Sequence, residues 1–161
     1  MSLTVSIVNH NGRETLLPLL AALAVVQLEK IDEHAAVRRR HFEAYDAAIA
    51  ELPGITPLAR DPRDVHAFHI YVLRIDPEAA GADRNAYRDA LLDENIATSI
   101  HFLPLHTLTF YRELLPDQRP LPVAEKAGDE VLSLPLSPAH SDDDIEDAID
   151  ALRRVHAAFT A

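Results

Sequence analysis

No cysteine occurs in this sequence. That absence removes a disulfide framework, thiolate metal ligation and cysteine nucleophiles together, and it suits a cytoplasmic location. Glycine is nearly as scarce, at 4 of 161 residues. Phosphate loops, dinucleotide fingerprints and the G-x-S-x-G elbow all need glycines for close backbone approach, and none of these patterns is present. Basic residues are outnumbered, 15 Lys and Arg against 26 Asp and Glu, for a net charge of −11. Nucleic acid is therefore not an expected partner, because phosphate neutralisation needs clustered cations. The one cluster, Arg38-Arg39-Arg40, points in several directions on a helix and reads as a solvated face or an interdomain contact. Long apolar runs are also missing. Leu16 to Val26 imitates the core of a signal peptide, but it is too short to span a bilayer. It has Glu14 beside Arg13 in place of a basic leader and continues into Gln27-Leu28-Glu29-Lys30. Neither a membrane nor export is expected.

What is present belongs to a globular chain. Hydrophobic residues make up 48% and charged residues 25%, with 11 prolines. The length suits one ordinary domain. Val5 to Val8 reads as a short strand followed by turn chemistry at Asn9 to Gly12. From about Glu14 to Leu52 an apolar stripe persists through Leu19, Leu23, Val26, Phe42, Tyr45 and Ile49, predicting one long helix or a kinked pair. Pro18 is expected in its first turn and Pro53-Gly54 at its end. Beyond a loop containing Pro57 and Asp61-Pro62, Phe68 to Ile75 predicts a strand central in its sheet. Asp83 is placed to cap a helix from Arg84 to Glu94, with Tyr87, Leu91 and Leu92 inward. Ile96 to Phe102 predicts a second strand, Phe110 to Arg112 a helical turn, Val123 to Asp129 a helix, and Val131 to Leu134 a third strand.

The final helix carries the strongest local signals. Ser141 caps it, Asp142, Asp143 and Asp144 complement its positive end, and Ile145, Ala148, Ile149, Leu152, Val155 and Phe159 share a face. Three aspartates there are dipole complements rather than a metal site. The predicted class is α+β: a small, mostly antiparallel sheet with helices on one face, preceded by a long N-terminal helix.

Histidine is the unusual resource, with nine copies. His66 and His69 enter a strand, where residues three apart face opposite sides, and no H-E-x-x-H arrangement exists, so metal ligation is not expected. His101 and His106 flank Phe102-Leu103-Pro104-Leu105 beyond a predicted strand end. An ordinary surface loop and a ligand-facing loop both fit that placement.

The ordered series His66 to Ile75, Arg84 to Leu92, Ile96 to His106 and Phe110 to Glu113 resembles the C-terminal small domain of the DegT/DnrJ/EryC1/StrS sugar aminotransferases. Gln27 to Asp32, Arg39, Tyr45 and Leu132 to Pro138 with the Ser141 helix extend the likeness over about Ala21 to Phe159. Within the family it is most similar to enzymes of the UDP-4-amino-4-deoxy-arabinose type. The resemblance implies a fold-type-I transaminase in which pyridoxal phosphate carries the amino group from a donor, expected to be glutamate, to a 4-keto sugar on a nucleotide. It places His106 first among substrate-binding residues, with His101 and Phe102 next. His69 lies on the strand beneath, and a structural role fits it at least as well.

Two departures qualify the likeness. Pyridoxal-phosphate chemistry needs a lysine amine for the cofactor. Lys30 and Lys126 are the only lysines, and neither matches the family's position. The resemblance thus implies a chain that does not hold the cofactor alone and meets its nucleotide-sugar substrate with a large domain supplied from elsewhere. Residues 1–20 form an atypical segment, of which Thr4 to Glu14 resembles the start of a family 2 glycosyltransferase, leaving residues 21–161 as the small domain. Three readings therefore stand: an aminotransferase small domain inactive alone, a non-catalytic interaction module that keeps the fold, and a glycosyltransferase-related chain. A second copy of the chain and a full-length family member are the two expected protein partners, since the apolar face of Leu16 to Val26 would otherwise lack cover.

Overall fold

The computed structural model describes the backbone of residues 13–161 and the side chains from Pro18 onward. The strand expected at Val5 to Val8 and most of the glycosyltransferase-like segment lie outside the described residues.

Two helices open the described chain, α1 (Arg13–Glu29) and α2 (Ile31–Ile49), so the kinked pair is the form adopted. They part at Lys30, whose φ of −104° and ψ of 0° stay in the right-handed region but depart from regular helical values. Pro18 is not in the first turn of α1 but inside the helix, where it withholds one N–H from the ladder. Five further helices follow, α3 (Pro77–Ala80), α4 (Arg84–Asp93), α5 (Thr109–Leu114), α6 (Pro122–Glu130) and α7 (Asp142–Thr160), with a 3₁₀ turn at Leu105–Thr107.

Three strands, β1 (Ile55–Pro57), β2 (Tyr71–Ile75) and β3 (Val131–Leu134), form an antiparallel sheet in the order β1-β2-β3. The central place predicted for the Phe68 to Ile75 strand is confirmed. Its predicted start is not: Phe68 has a φ of +50°, a left-handed conformation that strand pairing does not admit, and the ladder begins at Tyr71. β1 replaces part of the expected loop. It is three residues long and ends in Pro57, a residue confined to sheet edges, so it carries no strand signal of its own. Ile96 to Phe102 is not a strand either. Ser99 alone bridges Ser133, through bonds of 3.1 and 2.8 Å, before the chain leaves the sheet.

The register places Ile55 opposite Ile75, Leu73 opposite Leu132, and Tyr71 opposite Leu134. All six are buried and face the core, which α2, α4 and α7 supply with Phe42, Tyr45, Ile49, Tyr87, Leu91, Ile145 and Leu152. Each aliphatic side chain enclosed in this way contributes about 1.5–3 kcal/mol through removal from water. Leu92, expected inward, is 62% exposed, because α4 turns only one narrow face to the sheet. The α+β class holds.

Capping follows the local sequence. Asp83 accepts the Ala86 N–H at 2.8 Å. Ser141 accepts from the Asp144 N–H at 3.1 Å while the Asp144 carboxylate accepts from the Ser141 N–H at 2.7 Å, a complete capping box. Those bonds hold the Asp144 carboxyl below its ordinary range. Asp142 is lowered by its bond from Arg40 and then by His41, which tie α2 to the start of α7. Gly54, at φ +79°, lets the chain turn after α2. A Cβ there would stand 2.4 Å from the Ala80 nitrogen.

Inside the core, the Tyr87 hydroxyl donates to the Ala80 carbonyl at 2.9 Å and lies 2.8 Å from His156 Nδ1. That hydroxyl proton is already engaged, so the imidazole donates from Nδ1 and its tautomer is fixed. Burial pushes the Tyr87 hydroxyl up to about 12 and lowers His156.

Candidate functional site

The 101–106 loop is held from beneath by α6. Gly128 has no side chain to interpose, and a Cβ there would lie 2.4 Å from Pro104 Cδ. Glycine is needed at this point for close approach rather than for a special φ. Three residues earlier on the same helix, Glu125 Oε1 lies 3.0 Å from His106 Nε2 and accepts the Leu121 N–H at 3.0 Å. The imidazole bond first, and the backbone bond second, hold the Glu125 carboxyl below its ordinary range. Within the turn, the Thr107 hydroxyl and N–H both donate to the Pro104 carbonyl, at 2.8 and 2.9 Å. The loop is thus fastened at Pro104 and His106.

The three residues singled out from the sequence are placed unequally. The His106 side chain is only 13% exposed and is turned onto Glu125, so it anchors the loop as well as lining the groove beside it. Phe102 is 77% exposed, and His101 packs edge-to-face against it with ring centroids 4.9 Å apart. Leu103 and Leu105 are exposed too. His101 and Phe102 therefore form one unit and His106 another. His69, expected on the strand, precedes β2 and is exposed. His66 accepts the Phe68 N–H at Nδ1, 3.0 Å away, and packs on Phe42 and Phe68. Among the described residues no three His, Asp or Glu groups are placed to hold a metal ion.

Beside His106 runs a groove of about 450 Å³, lined by His106, Thr107, Arg112, Gln118, Arg119 and Glu125 among others. Sequence reasoning places Arg112 in a helical turn and passes over Arg119 and Glu125. The available signal is two arginines flanking Pro116 in a strongly acidic chain.

The lysines do not fit a pyridoxal-phosphate pocket. Lys30 is exposed at the α1–α2 break. Lys126 Nζ, on a side chain 65% exposed, lies 3.5 Å from Glu130 Oε1. Neither is enclosed with the donors that a phosphorylated cofactor would need.

The sequence profile of the DegT/DnrJ/EryC1/StrS aminotransferase family matches residues 5–153. This chain belongs to that family. The match includes most of the N-terminal segment that resembles a glycosyltransferase. The spore coat polysaccharide biosynthesis protein SpsC of Bacillus subtilis (strain 168) is 39% identical over 140 residues, which are 85% of this chain and 36% of SpsC. Among solved structures, the aminotransferase TlmJ of Streptoalloteichus hindustanus superposes with a TM-score of 0.78 at 32% identity, over 88% of this chain and 37% of TlmJ. DesI, solved with its TDP-sugar product, gives 0.76 at 31% identity, over 84% and 34%. The chain spans about a third of the length of each. Pyridoxal phosphate is the cofactor of the DegT/DnrJ/EryC1/StrS aminotransferases. No helix among the described residues is long and apolar enough to cross a membrane.

Proposed function

We propose that residues 21–161 act as the small domain of a pyridoxal-phosphate-dependent aminotransferase whose substrate is a 4-keto sugar on a nucleotide carrier. A large domain beyond these 161 residues would supply the cofactor lysine, and these residues would supply the substrate-facing loop. The observation that carries the reading is the outward presentation of Phe102, with half-buried His101 packed against it, on a loop fastened at Pro104 and His106. An exposed aromatic ring offers an apolar face to the C–H face of a sugar, and an imidazole at its edge offers a hydrogen bond to a hydroxyl. His106 keeps both in place through Glu125. The family match and the TDP-sugar bound to DesI support the substrate class.

A second reading, an interaction module that keeps the fold without chemistry, is favoured by α1. Its Leu20, Leu23, Val25 and Leu28 are all exposed, and a helix apolar on several sides is normally enclosed by other structure.

Titration of the full isotope-labelled chain with a TDP-hexose, followed by amide and side-chain NMR shifts, tests the first reading. Shifts concentrated at residues 99–119, and weakened in His101→Ala and Phe102→Ala, are expected. Shifts absent at saturating ligand, or confined to α1, would sink it in favour of the module.

A further inference from the structure

The groove beside His106 is a place where an acidic chain leaves paired positive charge open. Seven arginines, Arg40, Arg60, Arg63, Arg74, Arg88, Arg153 and Arg154, are ion-paired with carboxylates. Among the described residues Arg38, Arg39, Arg84, Arg112 and Arg119 have no such partner, and of these Arg112 and Arg119 line one cavity of about 450 Å³. The one acidic side chain in that wall, Glu125, is already engaged by the His106 ring and the Leu121 N–H. It keeps its negative charge, but its ion pair is with His106 and not with either guanidinium.

Gln118, also in the wall, brings an amide that donates. The Thr107 hydroxyl proton is engaged by Pro104. Two guanidinium forks with an amide in the same wall suit a tetrahedral oxyanion or a linked pair of them, because each fork can donate two parallel bonds to phosphate oxygens. A single carboxylate would leave most of those donors unused. Leu115, Pro116 and Pro120 also line the cavity, and Pro116, with its restricted φ, lies in the chain between the two arginines.

We propose that this groove is a diphosphate-binding site, with Arg112 and Arg119 as its ligands. The inference rests on the functional reading above for the ligand's source, which would be the diphosphate of a nucleotide sugar whose hexose lies toward His101 and Phe102. The groove's chemistry alone requires only a diphosphate.

The test is an NMR titration of the full chain with inorganic pyrophosphate and, in parallel, with a TDP-hexose, read at the arginine Nε–H groups and at the His101, Phe102 and His106 resonances. Pyrophosphate should saturate with shifts at Arg112 and Arg119 and weaken as salt is raised. The Arg112→Gln/Arg119→Gln double variant should lose at least about tenfold in affinity. Both residues are exposed, so an unchanged Tm is expected and loss of fold does not confound the result. Unshifted arginines, or a double variant that binds like the parent, would overturn the inference. Should TDP-hexose then still perturb His101 and Phe102, the functional reading survives its loss. Conversely, pyrophosphate seated on the arginines with His101 and Phe102 silent to TDP-hexose keeps the site and removes the nucleotide-sugar reading.

Discussion

Two regions of this molecule treat their apolar side chains in opposite ways. Around β2 and α7, Leu73, Ile75, Leu132 and Leu152 are closed off by one another, and both helix starts facing them are capped by side chains, Asp83 and Ser141. Along α1 and through residues 101–123, side chains just as apolar stand in the open, among them Leu23, Phe102, Phe110 and Val123. Composition does not separate the regions, since both are rich in leucine. Topology does. The first region's residues recur with the periods that put them on one face of a sheet or helix, and strands and helices bring those faces together. The second region's residues occupy several sides of α1, or the loop and short helical pieces between residues 101 and 123, and no described element of this chain covers them. The first region is closed by its own elements, and the second is left open among the described residues.

Truncation should expose that contrast at its largest. Leu73→Ala is expected to lower unfolding free energy by about 2–5 kcal/mol, whereas Leu23→Ala should change it by less than about 0.5 kcal/mol, both read from urea denaturation. Equal losses would erase the distinction. A boundary between the regions runs where α6 meets the loop. Gly128→Ala places a methyl against Pro104, and overpacking of this kind costs about 1–3 kcal/mol. The His101 and His106 NMR signals should shift with it, while signals from α7 stay put. Within the self-sufficient half, Ser141→Ala breaks the capping box and should cost about 1 kcal/mol, observable as a lowered Tm.

The smallest effect is a pH dependence. Asp142 and Asp144 titrate below the ordinary aspartate value of 3.8 in the folded chain. A carboxyl lowered by folding stabilises the fold fully above its unfolded value. That contribution fades as pH falls through 3.8 toward the lower folded value. Thermal stability should therefore drop on acidification through that window, and Asp142→Asn should flatten the drop. An unchanged profile in the variant would show that the Arg40–Asp142–His41 contact does not couple α2 to α7.

Legibility in the sequence follows the range of the forces involved. The caps of α4 and α7, the inward face of α7 and the central place of β2 rest on neighbours a few residues apart, and they can be read directly. Phe68 cannot, since nothing in His66-Ala67-Phe68 announces a left-handed phenylalanine. Ile96 to Phe102 has strand composition, but pairing depends on β3, which meets it only at Ser99. At the site, His101, Phe102 and His106 stand out by type and placement. That His106 serves Glu125 depends on where α6 packs, and that Arg112 and Arg119 share a groove depends on the turn between them. Neither relation is local.

Central to the proposed function is a chain that would contribute the substrate side of an aminotransferase and not the lysine that holds the cofactor. The most direct measurement is to incubate the full chain with pyridoxal phosphate, reduce with borohydride and map lysine adducts by mass spectrometry. No stoichiometric adduct is expected. A single saturable adduct at Lys30 or Lys126 would contradict that division of labour and give this chain a cofactor site of its own.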